Sequence, residues 1–184
     1  MNAPNAKLAS SSAPSSDPAQ YLTFMLGGET FAIGILSIKE IIEYQEMTIV
    51  PMMPAAVRGV INLRGAVVPV MDLQVRFGRE PSPVTKRTCI VIVEVQDADG
   101  NQQVLGVIVD AVNEVIEISP SEIEPPPSFG VGVRTDFISG VGKVRSRFVL
   151  LLAVNRALSL DGLEALHAHL PSGEGAIDEG QGQL

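Results

Sequence analysis

The sequence has no tryptophan, one cysteine and two histidines in 184 residues, and only 4% of it is aromatic. Each shortage excludes something. A single cysteine, Cys89, cannot form an intrachain disulfide and fits a reducing compartment. It sits in the apolar run Cys89–Val93 and reads as a small core residue. The two histidines, His167 and His169, are two positions apart near the C-terminus, so on a helix they face different ways and make no joint metal site. With histidine confined there, the rest of the chain has no nucleophile–histidine pair. No GxxxxGK[ST] phosphate loop occurs, and Gly130-Val-Gly132 lacks the strand–loop–helix setting of a phosphate cradle. The acidic pairs Asp97/Asp99 and Glu122/Glu124 sit in turn and proline-loop contexts. This inventory favours a binding module over an enzyme, with no cofactor and no metal.

Basic charge is also scarce. A formal net charge of -8 disfavours nucleic acid, whose phosphates need a basic face. It equally disfavours an anionic membrane surface. The first 20 residues have no apolar stretch of the kind a secretory signal needs, and no apolar run approaches a membrane span, so a soluble cytoplasmic protein is expected.

What the chain has is aliphatic. Hydrophobic residues make up 46%, dominated by Val, Ile and Leu, and β-branched residues favour strands. Residues 1–19 are Ala-, Ser- and Pro-rich and read as a disordered tail. Tyr21–Leu26, the Gly27-Gly28 turn and Thr30–Ile35 form a hairpin pattern. A helical turn running into a strand is expected over 35–42, followed by a loop from Thr48 to Pro54.

The centre of the pattern is Arg58–Leu73, two apolar segments joined at Asn62, Arg64 and Gly65. Gly65 supplies positive φ for a tight reversal, and Arg64 stands at its tip, either as a solvated turn residue or as a functional one. Pro69 inside the second segment points to an edge strand or a bulge. Residues 74–87 read as a connector, and a second hairpin follows at 88–109 around Asp97–Gly100.

The second half repeats the first. Phe31 aligns with Leu105, Ile38 with Val112, Glu40 with Glu114 and Ile41 with Val115; further on, Pro51 falls on Pro125, Gly59-Val60 on Gly140-Val141 and Val67-Val68 on Val149-Leu150. Each copy holds about five short strands, which suggests two small barrels packed through an aliphatic interface. The expected division is 20–73 for the first subdomain and 88–155 for the second, then a helix over 156–170, where Asp161 and Glu164 resemble a helix start, and an acidic tail over 171–184.

Gly59-Val-Ile-Asn-Leu-Arg-Gly65 followed by Val67-Val-Pro-Val-Met-Asp-Leu73 resembles the signature of the CheW chemotaxis coupling family. Phe31–Ile35, Ile38–Ile42, Leu105–Val115 and Phe137–Gly142 extend the resemblance over about residues 20–160. The resemblance implies a mainly β fold of two packed SH3-like five-stranded β-barrels and a non-catalytic adaptor recruited to membrane-associated receptor arrays. The implied partners are the cytoplasmic tip of methyl-accepting chemoreceptors and the regulatory domain of a CheA-type histidine kinase. Carried over by position, Ile38, Glu40, Gly59, Asn62, Arg64 and Gly65 are receptor-binding or relay residues. Ile41 belongs to the kinase face, and Phe129 to a second, ring-closing kinase contact. Phe129 reads by itself as either an interface anchor or a barrel plug. Ile41 and Ile42 point oppositely in a strand, so one fills the barrel and the other is free for a partner. An adaptor of another chemosensory system, such as twitching motility, fits the same residues; a small-ligand binder or enzyme using the inter-barrel groove is the alternative from another class.

Overall fold

The computed structural model describes residues 16–126 and 135–159. The strands are β1 (Ala19–Leu26), β2 (Glu29–Gly34), β3 (Ile38–Glu43), β4 (Val57–Leu63), β5 (Ala66–Asp72), β6 (Cys89–Gln96), β7 (Gln102–Val109), β8 (Ala111–Ile118), β9 (Ile123–Glu124), β10 (Ile138–Val144) and β11 (Arg147–Leu152). Two one-turn helices, α1 (Leu73–Arg76) and α2 (Val154–Ala157), follow β5 and β11. A 3-10 turn at Ile35–Ser37 leads into β3, as the spacing of its isoleucines suggests.

The strands form two sheets, each the framework of an SH3-like subdomain: five strands in the order β3-β6-β7-β5-β4, and six in the order β8-β1-β2-β11-β10-β9. Sheet membership departs from the contiguous division at 20–73 and 88–155. The β1–β2 hairpin leaves its own half to pair with β8 and β11, and the β6–β7 hairpin pairs with β3 and β5. The two halves exchange hairpins. Both seams at the far side are parallel, Phe31 beside Leu150 and Val70 beside Gly106, while the other strand pairs are antiparallel. Alternation of side chains along a strand conveys no chain connectivity, which is why sequence pattern missed the exchange.

The exchange explains why these strands are apolar on both faces. In β6, Ile90 and Ile92 fill the interior of the five-stranded subdomain with Ile61, Val68, Val70 and Ile108. The alternate residues Val91, Val93 and Val95 turn into a shared core with Leu22, Phe24, Phe31 and Ile33 of the other sheet. In β11, Val149 and Leu151 fill the six-stranded subdomain while Leu152 enters the shared core. Strands buried on both sides need continuous rather than alternating hydrophobicity. The scarce aromatics concentrate here: Phe24, Phe31, Phe77 and Phe137 form a row with centroids 6.2, 5.7 and 5.9 Å apart. Gly106 lets β7 pass between its neighbours, because a Cβ there would lie 2.9 Å from Ile90 Cγ2 and 3.1 Å from Val70 Cγ2.

The duplication is visible in the pairing register. Phe24 faces Phe31 as Val93 faces Leu105. Val93 faces Ile38 as Phe24 faces Val112, and a register break follows in both places. Two of the aligned matches shift. Gly59 faces Val70 and Gly140 faces Leu151, so Val68 corresponds to Val149, not to Leu150. Val60 pairs with Thr48 and Val141 with Glu124, so Pro51 and Pro125 are not equivalent. Loop prolines take no part in a ladder, and nothing holds them in register.

Pro69 is neither on an edge strand nor at a bulge. Strand β5 lies between β7 and β4, and the register shift is at Val57/Gly59 in β4. Opposite Pro69, Val60 gives its N–H and C=O to Thr48, both at 2.9 Å, so the pair needs no proline N–H. Pairing of β5 with β7 begins one residue later, at Val70. Cys89 is half-buried, with its Sγ 3.3 Å from the Arg87 carbonyl. The connector expected from 74 begins as α1, whose first turn is capped by the Asp72 carboxylate accepting from the Gln74 N–H at 2.9 Å. Most of the expected 156–170 helix, residues 1–15 of the expected N-terminal tail and the whole 171–184 tail lie outside the described residues, and Ala19, expected in the tail, begins β1.

Candidate functional site

The β4–β5 turn places Arg64 at φ 52° and Gly65 at φ 87°, the two positive values that a tight hairpin reversal requires. Glycine takes this at no steric cost; arginine does not, and Asn62 compensates by accepting the Gly65 N–H at 2.8 Å. The turn sends the Arg64 guanidinium to the Glu40 carboxylate, 2.6 Å away on β3.

Strands β3 and β4 are the two outer strands of this sheet, so the ion pair ties one end of the sheet to the hairpin at the other. A side-chain clasp closes the subdomain where no ladder runs. Arg64 is 76% exposed and Glu40 25%, and a pair this wet contributes less than about 1 kcal/mol. Its value is positional: it holds a cation and a carboxylate at a fixed place on an open edge.

Strand β3 supplies the rest of the surface. Its register breaks between Ile38 and Glu40. Ile38 therefore packs against the shared core, while Ile42 packs into the five-stranded subdomain. Ile41 points outward, 44% exposed, beside the Lys39–Glu94 ion pair at 3.0 Å. The adjacent isoleucines thus divide as alternation predicts: one fills the barrel and one faces solvent.

The expected residues divide into three groups. Arg64, Glu40, Asn62 and Gly65 come together in the clasp and its turn. Ile41 lies on the outer side of the same strand as Glu40. Gly59 is a packing residue: a Cβ there would stand 2.7 Å from the Thr48 carbonyl oxygen and 2.9 Å from Met47 Cβ. Phe129 lies outside the described residues.

Sequence reading passed over an apolar fringe on the β4–β5 side of the clasp. Ile49 and Met53 follow the Thr48–Val60 pairing, and Val67 faces Asn62 across the hairpin; all three are exposed. The available signal was a loop with large apolar residues between Pro51 and Pro54. A second feature also escaped notice. Arg58 reaches the Asp72 carboxylate at 3.2 Å, and that side chain is only 1% exposed.

Two SH3-like subdomains that share one core and present an exposed edge strand beside a charged clasp define a class of protein-binding scaffold. The chain belongs to the family of the CheW-like domain, whose model matches residues 20–161. It is 32% identical over 140 residues to the chemotaxis protein CheW of Klebsiella aerogenes, covering 76% of this chain and 81% of that protein. It is 32% identical over 146 residues to the probable chemotaxis protein CheW of Rhizobium etli, covering 79% and 91%. The crystal structure of the scaffolding protein TtCheW from Thermoanaerobacter tengcongensis superimposes with a TM-score of 0.70 at 33% identity, covering 85% of this chain and 96% of that one.

Proposed function

We propose that the chain is a non-catalytic adaptor that couples chemoreceptors to a CheA-type histidine kinase in chemotaxis signalling. Its membership of the CheW-like family supports this reading, as does a surface built for contact rather than for chemistry. The observation that carries it is Ile41, an apolar side chain held outward on an edge strand whose next inward residue, Glu40, is fixed by Arg64. Edge strands with exposed apolar residues are usually blunted or covered, so one left open beside an ordered ion pair is a docking edge.

In this reading Ile41 meets the regulatory domain of the kinase. The Arg64–Glu40 clasp, with Asn62 and Gly65 shaping its turn, faces the cytoplasmic tip of the receptor or relays its state. Ile38 and Gly59 act indirectly, by placing β3 and the 47–48 segment. The adaptor works in the cytoplasm at membrane-associated arrays; no helix among the described residues is long and apolar enough to cross a membrane. Contacts of this kind are modest singly and gain strength from multivalent assembly.

The test is a calorimetric titration with the regulatory domain of a CheA kinase from the same genome. Saturable binding is expected, weakened at least tenfold by Ile41→Glu in a protein that still folds. Arg64→Glu is expected to leave kinase binding intact and abolish receptor-dependent kinase activation. Wild-type kinase affinity in Ile41→Glu would refute the docking edge, and normal activation in Arg64→Glu would refute the clasp.

A further inference from the structure

The six-stranded sheet carries a second clasp. Arg145, at the tip of the β10–β11 turn, lies 3.7 Å from Glu114 on β8. The pairing register makes Arg145 the counterpart of Arg64 and Glu114 that of Glu40: Leu63 faces Ala66 around one tip as Val144 faces Arg147 around the other. Here too the ion pair joins an outer strand, β8, to the hairpin toward the opposite end of its sheet. Thr23 holds β8 in place, donating its hydroxyl to the Glu114 carbonyl at 2.8 Å and accepting the Glu114 N–H at 3.2 Å.

The second tip is made without glycine. Arg145 and Ser146 sit at φ 50° and 65°, a region that disfavours side chains, whereas Gly65 relieves half of that strain at the first tip. Retained backbone strain is a pointer to function when something else marks the place. The mark is a groove of about 1290 Å³, lined by Arg145 and Glu114 together with Arg87, Arg147 and Phe148. Phe148 is 65% exposed. Neither Arg87 nor Arg147 has an ion-pair partner among the described residues. Of the carboxylates on the same wall, Glu29 is engaged by Arg79 at 3.2 Å, which leaves Glu124 against two unpaired guanidiniums. On a chain of net charge -8, this groove offers spare cations beside an exposed aromatic ring.

We propose that this groove is a second docking site, for an acidic protein segment with an apolar anchor. Arg87, Arg145 and Arg147 meet its carboxylates, and Phe148 meets its apolar side chain. The loosely held Arg145–Glu114 pair yields its arginine to the incoming carboxylate more readily than Arg64 would, since its partners are farther apart and Glu114 is 57% exposed. The site stands apart from the Ile41 edge and is tested apart from it.

The probe is a fluorescein-labelled peptide of Glu and Asp around a central Leu-Leu, titrated into the full chain at low salt, with a Lys version as control. Saturable anisotropy change with the acidic peptide only is expected, weakening as salt rises. Arg145→Glu with Arg147→Glu, and Phe148→Ala alone, are each expected to weaken it at least tenfold, while Arg64→Glu leaves it unchanged. Arg145→Gly separates binding from folding: it removes strain, so its Tm is expected to match or exceed that of the wild type while peptide affinity falls. The proposal is overturned if the two peptides bind alike, if the Arg145/Arg147 variant keeps wild-type affinity, or if Arg64→Glu loses binding equally. Binding that emerges only after Glu174, Asp178 and Glu179 are changed to Lys would assign the groove to the chain's own acidic stretch and overturn an external partner. Self-association abolished by Arg145→Glu would assign it to a second copy, with the same consequence.

Discussion

Gly59 lies so close beneath Thr48 that a Cβ on it would meet the Thr48 carbonyl oxygen at 2.7 Å. That carbonyl accepts the Val60 N–H at 2.9 Å, and the Thr48 N–H returns to the Val60 carbonyl at 2.9 Å. A single glycine therefore keeps the apolar 49–53 loop seated along the outer edge of β4. Gly140 has the same relation to Glu124 in the second sheet, at 3.0 Å.

Gly59→Ala is accordingly expected to destabilise the fold by about 1–3 kcal/mol, because the obstacle is backbone rather than a movable side-chain end. Urea denaturation measures this directly. Faster amide exchange should be confined to Thr48 and Val60; a uniform loss across both sheets would contradict a local cause.

Ile41 and Ile42 should behave oppositely. Ile42→Glu places a carboxylate against Ile61, Ile90 and Ile92, and is expected to cost several kcal/mol or prevent folding. Ile41→Glu is expected to change stability by less than about 0.5 kcal/mol, as exposed substitutions do. Thermal melts of the two variants side by side check the assignment of faces.

The Asp72 carboxylate is buried, with Arg58 its charged partner. Arg58→Ala strands that charge and is expected to destabilise by about 2–3 kcal/mol, at the low end for a buried pair because Arg58 itself is partly exposed. Adding Asp72→Asn should recover part of the loss, since the amide oxygen still accepts the Gln74 N–H. No recovery in the double variant would mean that the ion pair was not the cause.

Asp97 gives the chain an acid-sensitive hairpin. The Asn101 backbone N–H, at 2.8 Å, holds its carboxyl below the ordinary aspartate value, helped by the Asn101 side-chain amide at 3.1 Å and the Asp99 N–H at 3.0 Å. A lowered folded-state value means that the stabilisation is present above the unfolded-state pKa and is lost as pH falls through the folded one. The window therefore lies below the ordinary aspartate value of 3.8. Carbonyl NMR should show Asp97 titrating below the ordinary aspartate value, with loss of amide protection at Gln96–Gln102 following it. Asp97→Asn should remove that pH dependence while retaining the turn.

Much of the site was legible in sequence because it depends on local chemistry. Asn62, Arg64 and Gly65 declare a hairpin by residue type, and the alternation of Ile41 with Ile42 follows from the pleat. The resemblance put Glu40 and Arg64 in one functional group, but their pairing was not readable, since 24 residues separate the two and no local rule joins them. Its counterpart at Glu114 and Arg145 was half visible: the glutamates aligned, but the arginines lay beyond the point where the alignment slipped. The Arg58–Asp72 pair was unreadable, because a charge at each end of a hairpin gives no sign of which one is buried.

Local residue pattern was enough for the strands, their turns, the aliphatic character of the core and the fact of duplication, because periodicity, glycine placement and β-branched composition act within a few residues. Which half each hairpin joins was set by long-range packing. Both arrangements would satisfy the same alternation, but the hairpins are apolar on both faces, and only when placed between a subdomain interior and a common core are both faces covered. The exchange in turn fixed what the surface presents: two outer strands, each tied through its glutamate to an arginine distant in sequence, one clasp short and one loose.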